Sequence, residues 1–170
     1  LLRMGGELAD GVLFLAGVNE DCVRYAVERI AEGAVSAGRD TASIDVGCTI
    51  YGSLQDDLEA ARDLCRPMAA WFPQTSKQYA EIAGVPETII ENIREAYSGG
   101  HFDEARQALS YVTDDMIDTL VLAGTPDEVR KKLEAIEGLY ETLILYCPMP
   151  WLEPQESKDN HAAMIETFAD

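Results

Sequence analysis

Three short stretches hold the residue types from which a binding site would be built: Ala16-Gly17-Val18-Asn19, Ile50-Tyr51-Gly52-Ser53 and Tyr146-Cys147-Pro148-Met149. Each follows an apolar run and precedes a helix signal or a turn. Gly17 and Gly52 would let a flat ring approach the backbone, and Tyr51 and Tyr146 would line a cleft. Each of these residues also has a purely structural use. A glycine serves any tight strand-to-helix turn, Asn19 suits a helix N-cap, and aromatic side chains at strand ends pack. Cys147 has no histidine beside it in sequence, which favours a buried structural thiol over a nucleophile. The acidic runs "DLEAARD" and "DDMID" read as solvated helix faces. No grouping here runs acid–base or nucleophilic chemistry unaided, so no catalytic residue is assigned. Such a site suits chemistry carried by a bound group that the protein orients.

The totals exclude several partners. The 170 residues carry 31 Asp plus Glu against 13 Lys plus Arg, a formal net charge of -18. A nucleic-acid binder replaces phosphate counterions with Lys and Arg, and these are too few. The same shortage argues against an anionic membrane surface. Cys22, Cys48, Cys65 and Cys147 form no C-x-x-C pair, and His101 and His161 lack neighbours at ligand spacing, so no metal site is expected. Reduced thiols, no run long enough to span a bilayer and no signal peptide before Leu1 lead us to expect a soluble, cytoplasmic protein.

The elements that must position these stretches alternate. "LLRMGGELAD" reads as a helix in which Gly5 and Gly6 mark close approach to another backbone, and "VLFLAG" as a strand buried on both faces. Asn19 caps a helix ended by Gly38. "SIDVGCTIYGSL" is a second strand, with Val46, Cys48 and Ile50 on an apolar face and Gly47, Thr49 and Tyr51 on a mixed one. Ser53 with Asp56 resembles a capping box for a helix carrying Leu58, Ala61, Cys65, Met68 and Phe72, which Pro67 would kink or end. Residues 73–123 show no convincing strand; they read as short helices near 76–83, 86–97, 102–110 and 113–122, and Trp71 and Phe72 just before them, with Tyr79, would cover the barrel mouth or meet a subunit. Thr125-Pro126-Asp127-Glu128 is a strong helix start, and Gly138 a stop. "LYETLILYC" is a third strand ended by Pro148 and Pro150, and after an extended "PWLEPQ" a last helix begins at "SKDNHAAM".

Right-handed crossovers make such strands parallel. Three parallel strands leave two open edges and an uncovered apolar face, whereas eight β/α units close into a barrel of about 250 residues. The pattern therefore predicts an α/β fold, the C-terminal portion of a (β/α)8 TIM-type barrel: about three β/α units, with a helical insertion at 73–123. On this reading residues 1–170 are one fragment of a single barrel domain, and much of the active site lies upstream of Leu1. A small doubly wound α/β domain is a weaker alternative, having too few strands.

Three motifs in order, "RMGGELADGVLF" at 3–14, "TDDMIDTLVLAGTPDEVRKKLEAI" at 113–136 and "GLYETLILYCP" at 138–148, resemble the bacterial-luciferase-like superfamily. The likeness is greatest to its 5,10-methylenetetrahydromethanopterin reductase-like branch, with "SAGRD" also in place, and it covers nearly the whole chain. The A-G-T-P piece alone is only a good helix cap; the ordered set is more specific. The resemblance implies an oxidoreductase that binds coenzyme F420 or FMN and transfers a hydride to or from a one-carbon pterin or similar small molecule. It also implies a homodimer or homotetramer of the full-length protein. An FMN-dependent monooxygenase is an alternative, and so is a non-catalytic relative or acidic interaction domain. It places the coenzyme phosphate near the opening helix, at the backbone of Leu1 and Leu2, with Gly17 and Asn19 beside the coenzyme and Tyr51 and Cys147 toward the substrate. Residues 1–170 by themselves are expected to be unstable or to self-assemble. A clean monomeric two-state unfolding transition by urea would contradict this.

Overall fold

Gly6 decides how the first two helices meet. The computed structural model describes residues 1–98, 106–147 and 152–169. In it α1 (Leu2–Leu8) lies against α2 (Glu20–Ser36). A Cβ on Gly6 would stand 1.9 Å from the Ile30 carbonyl oxygen, so only glycine permits this backbone-to-backbone contact. Between the two helices runs β1 (Gly11–Leu15), and the Asn19 side chain caps α2 by accepting from the Cys22 N–H at 3.1 Å.

β2 (Asp45–Leu54) is the hub. It pairs parallel with β1 (Gly11 opposite Asp45), with β3 (Leu122–Gly124; Leu122 opposite Gly52) and with β4 (Thr142–Tyr146; Thr142 opposite Gly47). The helices between them are α3 (Leu58–Thr75), α4 (Lys77–Ile82), α5 (Glu87–Ala96), α6 (Asp114–Leu120) and α7 (Pro126–Glu134); α8 (Pro154–Phe168) follows β4. Phe14, Val46, Cys48 and Ile50 are buried on one sheet face. The other face holds Leu13, 56 % exposed, and Tyr146, 39 % exposed, so that face of the sheet is uncovered. This is the α/β architecture of a part of a TIM-type barrel, whose helices cover the outside of a parallel sheet.

Several sequence expectations need correction. The helix after β2 is capped by Asp57, which accepts from the Ala60 N–H at 2.9 Å, while Ser53 is still in the strand and fully buried. Pro67 neither ends nor divides α3, which continues to Thr75 with Pro73 also inside it. Leu122–Gly124 is a strand where none was expected, because three fully buried residues show no alternation to read. The last helix begins earlier, at Pro154, with a capping box between Glu153 and Glu156. Phe72 and Tyr79 are core residues, not a cover over a cleft. The first residues of the 102–110 helix and the expected strand-ending Pro148 and Pro150 lie outside the described residues; Arg106–Tyr111 is a 3-10 segment.

One charged cluster locks the returning segment against the rest. Asp118 on α6 accepts from Arg62 of α3 at 2.5 Å and from Lys132 of α7 at 3.1 Å, and Lys132 also donates to the Ala123 carbonyl in β3 at 2.9 Å. Burial alone would raise the Asp118 carboxyl, but the two cations together hold it below the usual range. Its contribution to stability is therefore present above an unfolded-state value of about 4 and lost as the pH falls through the lower folded value. Asp118→Asn is expected to cost about 1 kcal/mol at pH 7, since Asp118 is one-third exposed, and less at about pH 3, below the unfolded-state value. Urea titrations of both proteins at the two pH values measure this; an equal loss at both would reject the charge argument.

Candidate functional site at the strand carboxyl ends

The carboxyl ends of β1 and β2 are crossed by the end of the insertion. A Cβ on Gly17, whose φ is +72°, would come within 2.3 Å of the Leu120 carbonyl oxygen. One on Gly52 would come within 2.6 Å of the Leu122 carbonyl oxygen. Both glycines are therefore required by the chain's own backbone, which uses the space that a side chain would fill. Val121 and Leu122 are fully buried here, and Leu122 pairs beside Gly52 on β2.

Of the residues expected in the site, the structure brings Tyr51 and Tyr146 together. They lie opposite one another across β2 and β4, with ring centroids 5.7 Å apart and planes tilted by 30°. The rings share the uncovered face with Thr49, nearly buried, and Ile144, half-buried. None of these four positions is an Asp, Glu, Lys, Arg or His, so the wall they form is aromatic, hydroxyl-bearing and without acidic or basic side chains.

Cys147 does not join them. As the next residue after Tyr146 its side chain turns to the helix side, where it is fully buried and its Sγ meets the Ser157 carbonyl at 3.7 Å. Burial pushes its thiol up to about 11, and those of Cys22, Cys48 and Cys65 up to about 12, so all four stay protonated at neutral pH. Asn19 spends its side-chain oxygen on the α2 cap and has its backbone at the end of β1. Leu1 is fully exposed and Leu2 half-buried at the start of α1. Among the described residues no group of three or more His, Cys, Asp or Glu is arranged to hold a metal ion.

Sequence reading missed Asn160. This residue of α8 is fully buried, and its side-chain amide substitutes for a strand at the end of β2. Its Nδ2 donates to the Gly52 carbonyl at 3.1 Å, and its Oδ1 accepts from the Leu54 N–H at 2.7 Å. The signal was available only as a polar residue four positions before Met164, the other buried residue of that helix.

A flat, largely apolar ring fits this wall better than an ionic ligand would, because nothing there compensates a buried charge. The comparisons agree with the fold. A family model described as luciferase-like monooxygenase matches residues 1–142. The chain is 34% identical over 137 residues to the 5,10-methylenetetrahydromethanopterin reductase of Methanopyrus kandleri, covering 80% of this chain and 38% of that protein. It is 28% identical over 155 residues to the enzyme of the same name from Methanolobus tindarius, covering 85% and 44%. The solved coenzyme F420 dependent tetrahydromethanopterin reductase from Methanopyrus kandleri superimposes with a TM-score of 0.72 at 30% identity, covering 92% of this chain and 44% of that one. The chain thus belongs to the luciferase-like monooxygenase family, and it spans about two fifths of the length of the curated relatives it matches.

Asn160→Ala leaves a buried carbonyl and a buried N–H without partners, each worth about 1–3 kcal/mol. The substitution is expected to lower stability by about 2–4 kcal/mol and to speed amide exchange at Leu54. An unchanged urea midpoint would mean that β2 ends without this clasp.

Proposed function

We propose that this chain supplies one wall of an oxidoreductase that uses coenzyme F420 for hydride transfer to or from a one-carbon pterin or a similar small organic molecule. The observation that carries it is the likeness to the Methanopyrus kandleri reductase in both sequence, at 34% identity, and structure, at a TM-score of 0.72. The uncharged wall supports it, because a redox coenzyme brings its own chemistry and needs orientation more than acid–base help.

When bound, the coenzyme would supply the hydride. The chain's residues would do the positioning. Tyr51 and Tyr146 would give a flat surface against which a ring or pterin packs, and Asn160 would keep the backbone under Tyr51 from fraying. Val121 and Leu122 would exclude water from the ends of β1 and β2, which favours direct transfer over side reactions. We assign the backbone at Leu1, Leu2, Gly17 and Asn19 to the coenzyme side, and Tyr51 to the substrate side with Cys147 packed behind it. No helix among the described residues is long and apolar enough to cross a membrane. The proposal includes a cytoplasmic whole protein acting as a homodimer or homotetramer.

A binding titration of the complete protein with F420 and with FMN tests the assignment. F420 is expected to bind at least about tenfold more tightly, equivalent to about 1.4 kcal/mol. The reverse order would point to the FMN-dependent alternative, and binding of neither would overturn the oxidoreductase reading. Tyr51→Ala is expected to raise KM for the substrate by about two- to tenfold, the range of one aromatic contact, with the fold unchanged by circular dichroism.

A further inference from the structure

Among the described residues the buried polar side chains are those of Thr49, Ser53 and Asn160. The first two lie in the carboxyl half of β2, and the third reaches that strand from α8. A buried polar group costs free energy unless it is bonded, so their gathering at one end of one strand calls for a reason. The pairing of the strands supplies it. β4 pairs with β2 from Gly47 to Tyr51, where Tyr146 stands opposite. β2 continues to Leu54, and on that same edge the Asn160 amide takes over. Its Nδ2 donates to the Gly52 carbonyl at 3.1 Å and its Oδ1 accepts from the Leu54 N–H at 2.7 Å. These two groups flank Ser53, and a residue of a parallel strand would bond the same pair. The amide therefore stands where the residues after Tyr146 would pair, and the chain has to leave β2 there. Cys147, the next residue, is turned to the helix side and fully buried. Burial raises its thiol and a hydrogen bond with the Asn160 side chain partly offsets this, so one amide holds both sides of the exit.

We propose that Asn160 is a positioning residue for the substrate side of the site: by occupying the edge of β2 it fixes where β4 departs, and with that the spacing of Tyr51 and Tyr146. These tyrosines are the last paired residues of the two strands, with ring centroids 5.7 Å apart. Tyr51 adjoins Gly52, whose carbonyl the amide holds, and Tyr146 adjoins Cys147. Without the amide, the Gly52 carbonyl and the Leu54 N–H would need other partners, and pairing with the departing chain would provide them. Tyr146 would then move relative to Tyr51, and a flat ring would meet a different wall. Asn160 is fully buried, so it acts on a ligand only through the tyrosines. Its consequence for a substrate rests on the oxidoreductase reading; its effect on the rings does not.

The test uses the complete protein, with 3-fluorotyrosine in place of Tyr51 or Tyr146 read by fluorine NMR. Turnover is measured with reduced F420 and 5,10-methylenetetrahydromethanopterin as the probe substrate. Asn160→Leu keeps the side-chain volume and removes both bonds. It is expected to shift both ring signals and to raise KM by about two- to tenfold, with kcat changed by less than about twofold. Added to Tyr51→Ala it should raise KM no further, because the ring it positions is gone; a merely structural loss would multiply with the tyrosine effect. Asn160→Asp supplies the rescue. A protonated carboxyl there donates to the Gly52 carbonyl and accepts from the Leu54 N–H, and burial favours the protonated form. At about pH 5.5 its ring signals should match those of the unsubstituted protein, and its KM should lie within about twofold of that protein's at the same pH. Titration of His161, Cys65 and Cys147, which both proteins contain, cancels in this comparison. The Asp variant carries the test if Asn160→Leu does not fold. Ring signals unmoved by Asn160→Leu, KM losses that multiply, or no recovery by Asn160→Asp in acid would overturn the proposal. Shifted ring signals in a protein without turnover would sink the oxidoreductase reading and leave the positioning role standing.

Discussion

The backbone of β2 is the constraint from which the rest follows. It lies between neighbours on both edges for its whole length, and a buried strand must have its N–H and C=O groups paired. On one edge Asp45 donates to the Asp10 carbonyl, β1 continues the pairing, and β3 takes over where β1 turns away into α2, with Gln55 donating to the Gly124 carbonyl. On the other edge β4 covers only the middle. Side chains finish both ends: the Glu141 carboxylate accepts from the Val46 N–H at 2.8 Å, and the Asn160 amide serves Gly52 and Leu54. Two polar side chains from distant parts of the sequence thus make a ten-residue strand possible where its partner strands are five residues or fewer.

That arrangement explains the insertion. Its helices do more than decorate the loop after β2, because its last residues return as β3 and seal the strand ends. The return path passes so close to Gly17 and Gly52 that neither can carry a side chain. Charge then fixes the path: Arg62, Asp118 and Lys132 join α3, α6 and α7 around β3, at the partly exposed border where an ion network costs little desolvation.

The chemistry open to the strand ends is set by the lack of acidic and basic side chains on the described wall. The strand ends present two tyrosine rings, hydroxyls and aliphatic carbons, with every nearby thiol kept protonated by burial. Such a surface positions a neutral or delocalised partner and leaves reactivity to it.

Much of the fold was legible in the residues themselves. Helix caps at Asn19 and Thr125 depend on a side chain and an N–H three residues away, and the apolar runs of β1, β2 and β4 are long enough to read without a partner. Gly5-Gly6 announced a close backbone approach, and Gly6 meets one at Ile30. The parallel order and the motifs near 3–14 and 113–136 pointed to the family that the comparisons show. What stayed hidden was set by residues far apart in the chain. Three buried residues at 122–124 become a strand only because β2 offers an open edge there. Asn160 looks like an ordinary helix residue until its amide is seen 106 positions away on Leu54. The pairing of Tyr51 with Tyr146 depends on strand register. Local periodicity and capping are properties of neighbouring residues, so a sequence determines them directly; contacts across the chain depend on packing, and only the tertiary structure decides those.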